Sequence, residues 1–105
     1  MELKRVVVTG LGMVTPLGND VATTWKNLLA SKSGAGAITH FDASKFKTQF
    51  ACEVKDLDVS SLFDPKELRR YDRYVHLAIH SAERAIQDAG IQMENEDPLR
   101  CGVIY

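Results

Sequence analysis

Residues 5–18, Arg5-Val6-Val7-Val8-Thr9-Gly10-Leu11-Gly12-Met13-Val14-Thr15-Pro16-Leu17-Gly18, run three consecutive valines into a turn that holds three glycines. β-Branched residues without polar alternation read as a strand covered on both faces, as in a parallel sheet, so helices are expected on either side. Gly10, Gly12 and Gly18 read as backbone freedom at the strand end. Pro16 excludes simple continuation of a helix or a central strand. The fold class expected from this stretch is α/β.

The same stretch invites a dinucleotide-binding reading. That reading needs G-x-G-x-x-G/A opening directly into a helix, with an acidic residue about 20 positions further on for the ribose. Counting from Gly10, the third small residue should stand where Thr15 stands, followed by Pro16, and the later position is Ala35. The signature is not met, and a nucleotide-binding oxidoreductase is kept only as the weaker alternative.

At 105 residues the chain is one domain at most. Its 13 basic and 14 acidic residues give a net charge of −1, which argues against nucleic-acid binding by bulk charge and leaves room for a local basic patch. No apolar run reaches the roughly 18 residues of a membrane span, and the amino terminus lacks the apolar core of a signal peptide. A cytoplasmic protein without a membrane partner is expected. Cys52 and Cys101 are too few for a disulfide framework, and neither has the setting of a nucleophile, so both read as small, reduced core residues.

Asn19 or Asp20 can cap a helix whose apolar positions are Val21, Trp25, Leu28 and Leu29, ended by Ser33-Gly34-Ala35-Gly36. Residues 37–49 read as irregular, anchored by Phe41 and Phe46. A half-exposed strand follows, with Phe50, Cys52 and Val54 facing inward and Ala51, Glu53 and Lys55 outward. After a linker from Asp56 to Phe63, Asp64 as N-cap, Pro65 in the first turn and Glu67 as the capping-box partner mark a helix start. Leu68, Tyr71, Val75, Ala78, Ile79, Ala82, Ile86 and Ala89 keep one apolar stripe up to Gly90, predicting an unbroken helix about 37 Å long. Arg100 to Tyr105 reads as a second buried strand, parallel to the first through a right-handed crossover. Two such strands cannot cover each other, so the chain reads as a fragment, and much of any active site beyond the strand ends would lie outside it.

His76 and His80 stand one helical turn apart but lack the glutamate of the zinc-protease motif, so they read as core residues and no metal site is expected. His40 has no partner the sequence assigns. Lys66, Arg69, Arg70 and Arg73 fall at i, i+3, i+4 and i+7 and would share one helix face. Such a row is either a solvated face, partly neutralised by Asp64, Glu67 and Asp72, or a surface for an anionic partner. Lys66 favours the second reading, because the helix dipole disfavours a cation in the first turn by roughly 0.3–1 kcal/mol.

In this order the sequence resembles about the amino-terminal quarter of the β-ketoacyl-acyl-carrier-protein synthases, and within that family the synthase II type. The resemblance covers essentially the whole chain. It rests on residues 5–18, Thr24-Trp25-Lys26, Leu28-Leu29-Ala30, Ser33-Gly34, His40-Phe41-Asp42, Phe50-Ala51, Lys66-Glu67, Arg69-Arg70 and Asp88-Ala89-Gly90. It implies the thiolase fold of two similar α/β halves, of which residues 1–105 would hold the start of the first. It also implies decarboxylative condensation of an acyl thioester with malonyl carrier protein, a homodimeric parent enzyme in fatty-acid synthesis, and no cofactor. The family's catalytic cysteine and two histidines would all lie beyond Tyr105, so neither Cys52 nor Cys101 matches the nucleophile and the fragment alone is expected to be inactive. What the resemblance does place here is the surface for the acidic, phosphopantetheinylated acyl carrier protein, on Lys66, Arg69 and Arg70, with Arg73 beside them. A non-catalytic chain-length factor of a polyketide synthase is the alternative of a different class, separated from the enzyme by the presence of the nucleophile.

Overall fold

Three helices, one two-stranded sheet and two short 3-10 turns, joined by irregular segments, lie within residues 3–104, the part of the chain described by the structure, a computed structural model. Helix α1 spans Val21–Leu29, strands β1 and β2 span Ala35–Ala37 and Phe50–Cys52, and helices α2 and α3 span Pro65–Arg70 and Arg73–Ala89. Met93–Asn95 and Pro98–Arg100 form the 3-10 turns.

The glycine-rich opening has a steric role. A Cβ on Gly12 would stand 1.8 Å from the Ser81 carbonyl oxygen and 2.6 Å from the Ala85 nitrogen, and one on Gly10 would stand 2.3 Å from the Ala85 carbonyl oxygen. Ser81, Ala85 and Ala89 are spaced by four residues on α3, so small side chains on one face and missing side chains on the other let the two backbones touch. The Leu11 N–H donates to Asp88 Oδ2 at 2.9 Å and ties the segment to the same helix. Neither Gly10 nor Gly12 has a positive φ. The expectation of turn freedom is therefore corrected: these glycines are needed for close approach.

The turn that follows is closed by paired bonds between the backbones of Thr15 and Gly18, at 2.8 and 3.1 Å. Asp20 caps α1, accepting from the Thr23 N–H at 2.7 Å and its hydroxyl at 2.8 Å. The amino terminus of α1 is thus held by the chain's own carboxylate, where a dinucleotide pyrophosphate would have to sit. Asp64 Oδ1 likewise accepts from Lys66 N and Glu67 N at 2.7 and 2.8 Å, while Glu67 Oε2 accepts from Asp64 N at 3.1 Å, completing the expected capping box. Gly90 ends α3 with a left-handed φ of 65°.

Four expectations are corrected. The helix is not continuous: Tyr71 and Asp72 are extended, with ψ of 140° and 158°, and separate α2 from α3. Tyr71 packs edge-on to Phe63 at 6.1 Å, and Asp72 stands at the N-cap position of α3 without a side-chain capping bond, so it is tertiary contact that overrides the apolar stripe. Residues 35–37 are not a helix terminator followed by loop but strand β1, paired antiparallel with β2 so that Gly36 faces Ala51. At β2 the expected faces are reversed for Phe50, 67% exposed, and Cys52, exposed and free, because Glu53, on the opposite face, turns in to serve the neighbouring Thr39 backbone and hydroxyl. Cys101, read as a core residue, is exposed and free as well.

The fourth correction concerns the parallel buried strands. Val6 is 90% and Ile104 98% exposed, and neither Val6–Val8 nor residues 100–104 belong to a strand. A segment becomes a strand only when a neighbour takes its hydrogen bonds, and among the described residues the one sheet is β1 with β2. Tyr105, part of the expected second strand, lies outside the described residues. Among the described residues the buried side chains are Ala43, Val59, Phe63, Thr24, His76 and His80, with Phe63 bridging the linker to the inner face of α3 at 5.0 Å from the His76 ring.

Candidate functional site

The basic residues of α2 are exposed because the apolar side of this short helix, Leu68, turns inward and leaves Lys66, Arg69 and Arg70 on the open side. The acids beside them are already engaged. Asp64 and Glu67 close the capping box through backbone groups, and among the described residues the only ion pair is His40 with Glu53. Lys66, Arg69, Arg70 and Arg73 therefore have no carboxylate within salt-bridge distance among the described residues. Arg69 Nε donates to the Pro65 carbonyl at 3.1 Å, which holds that side chain along the helix.

Arg73 does not share the face with the other three. The break at Tyr71 and Asp72 moves it to the first turn of α3, where it lines a cleft of about 470 Å³ with Thr39, His40, Glu53, Lys55 and Asp56. The row expected on one face is thus split: Lys66, Arg69 and Arg70 are exposed on α2, and Arg73 lies apart from them in the cleft. Lys55 was read only as an outward strand position. Nothing in the local sequence couples it to Arg73, because the two meet only through the packing of the linker against α3.

Glu53 is the anchor of this cleft. It accepts from the Thr39 N–H at 3.0 Å and the Thr39 hydroxyl at 2.7 Å, and its Oε1 lies 3.9 Å from His40 Nε2. These bonds, that of the Thr39 side chain first and then that of its backbone, hold the carboxyl below its ordinary value. A carboxylate lowered in this way contributes stability above its unfolded-state value and loses it as pH falls through the lowered one. Thr39→Val is accordingly expected to destabilise the hairpin at neutral pH, with the difference from the parent closing under acid. Amide exchange at Ile38 and Thr39 across that pH range checks this, and a difference independent of pH would contradict it.

His76 and His80 lie on the buried side of α3, 8% and 6% exposed, and the Nε2 atom of each has no hydrogen-bond partner among protein groups. Neither joins a cluster of three or more potential metal ligands among the described residues. No helix there is long and apolar enough to cross a membrane.

The family model for the β-ketoacyl synthase N-terminal domain matches residues 3–105. The chain is 48% identical over 103 residues to the 3-oxoacyl-[acyl-carrier-protein] synthase 2 of Coxiella burnetii, covering 98% of this chain and 25% of that protein. It is 42% identical over 104 residues to the synthase 2 of a Synechocystis species, again covering 25% of the relative. Among solved structures, the ishigamide ketosynthase/chain length factor shares the fold with a TM-score of 0.75 at 32% identity, over 85% of this chain and 22% of that one. The chain thus spans about a quarter of the length of the relatives it matches.

Proposed function

The chain belongs to the β-ketoacyl synthase family, and from that membership we propose that residues 1–105 are the amino-terminal portion of a synthase II-type condensing enzyme. The whole protein would transfer an acyl group from its carrier to a cysteine, decarboxylate malonyl carrier protein, and join the resulting carbanion to the acyl thioester, lengthening the chain by two carbons. The observation that carries this reading is the match of the family model from residue 3 to residue 105. Covalent catalysis and stabilisation of the thioester oxyanion by two histidines would be supplied by residues outside this chain. The fragment alone is proposed to be inactive, with no catalytic residue and no cofactor site of its own.

Within that enzyme the role proposed for these residues is carrier recognition. Lys66, Arg69 and Arg70 form an exposed, unpaired basic row, which suits the acidic surface around a carrier's phosphopantetheine attachment site. In the thiolase fold proposed for the whole, Val6–Val8 would enter a parallel sheet, in keeping with their exposed β-branched side chains and with the close seat of Gly10 and Gly12 on α3. A homodimer acting in the cytoplasm completes the proposal.

The test is direct. The full-length protein, given acyl carrier protein loaded with a short acyl group together with malonyl carrier protein, should release carbon dioxide and yield a β-ketoacyl product two carbons longer. A folded full-length protein that yields none would overturn the enzymatic reading in favour of a non-catalytic partner subunit.

A further inference from the structure

We propose that the cleft beside α2 is a second contact for the same partner, in which Lys55 and Arg73 take a surface carboxylate of the carrier protein and fix the carrier's rotation about the α2 row. This rests on the carrier reading above and adds a separate site to it.

Four observations carry the inference. First, both side chains line the cleft and, among the described residues, neither has an acid within salt-bridge distance. Second, of the two acids in the cleft, Glu53 is occupied by Thr39 and faces His40, leaving Asp56 alone against two cations. Third, the backbone of Lys55 is held in place and its side chain lies along the hairpin. Its carbonyl accepts from Asn19 Nδ2 at 2.9 Å, the next residue turns the chain with a φ of 54°, and its ammonium lies 3.8 Å from where a Cβ on Gly36 would stand. Fourth, the extended pair Tyr71 and Asp72 removes Arg73 from the α2 face and sets it in the cleft wall.

The chemistry fits a carboxylate. A guanidinium engages one through two parallel hydrogen bonds, and an ammonium nearby adds charge without geometric demand. A single row of cations can be satisfied by an acidic helix at several rotations, whereas a row and a separate point contact define one. The cleft would thus govern the geometry of docking, and with it the direction in which the carrier's arm is presented.

The experiment uses the full-length protein carrying Lys55→Gln and Arg73→Gln. Binding of the acyl carrier protein is measured by fluorescence anisotropy at low salt, with the carrier in its unmodified form and in its phosphopantetheinylated form. Affinity is expected to fall about threefold to tenfold, equally for both forms, with the melting midpoint unchanged. If the double variant melts early, Arg73→Gln alone is measured in its place. Unchanged affinity would overturn the proposal, as would a loss confined to the phosphopantetheinylated carrier, which would assign the cleft to the phosphate. Charge reversal on α2 serves as the reference: if that leaves carrier binding intact, the carrier reading itself is what fails.

Discussion

Replacing Gly12 with alanine should destabilise the protein by about 3 kcal/mol or more, at or beyond the upper end of what overpacking usually costs. The added methyl would stand 1.8 Å from the Ser81 carbonyl oxygen and 2.6 Å from the Ala85 nitrogen, both of them backbone atoms of α3. No truncation of a side chain on that helix relieves such a clash. Either the opening segment moves off α3, breaking the Leu11 to Asp88 hydrogen bond, or the helix shifts. Gly10→Ala should act the same way, since its Cβ would meet the Ala85 carbonyl oxygen at 2.3 Å. Gly36→Ala is the control, because its nearest neighbour is the flexible end of Lys55 at 3.8 Å, and it should fall within about 0.5 kcal/mol of the parent. Denaturant unfolding of the three variants in the full-length protein checks the order. A Gly12→Ala variant as stable as Gly36→Ala would mean that the opening segment is not seated on α3.

Reversing the charges of Lys66, Arg69 and Arg70 to glutamate should weaken carrier binding by roughly 10- to 100-fold at low salt and remove most of its salt dependence. In the proposed docking the row would act with its own acids already taken: Asp64 and Glu67 satisfy backbone N–H groups at the start of α2, so no internal ion pair must break before a partner's carboxylate can bind. Reversal at Arg69 and Arg70 also places negative charge in the last helical turn, against the dipole. A glutamine triple variant separates the two effects, since it removes the attraction without opposing the helix. That variant should still bind more weakly than the parent and show a shallower salt dependence. Equal binding by parent and glutamine variant at low salt would refute the assignment.

The starts of α1 and α2 and the end of α3 could be read from sequence because capping is local. Asp20, Asp64, Glu67 and Gly90 act on backbone groups within a few residues of themselves, so their spacing suffices. The face of β2 could not be read. Phe50, Cys52 and Val54 look like an inward stripe, yet the position of Glu53 is decided by Thr39, which comes to it across the hairpin. The α2 row was legible in three of its members and misplaced Arg73 by treating an apolar period as proof of an unbroken helix.

By itself, the sequence determined the family, through motifs spread along the whole chain, and, through residues close together, the starts of α1 and α2, the end of α3 and the exposed basic residues of α2. Tertiary structure alone decided the rest. It gave the glycines of the opening their purpose, since a missing Cβ matters only once Ser81 and Ala85 are known to lie against it. It turned Arg73 out of the row and brought it into one cleft with Lys55. It also left Val6 to Val8 without a ladder among the described residues, because a strand needs a neighbour and no property of three valines supplies one.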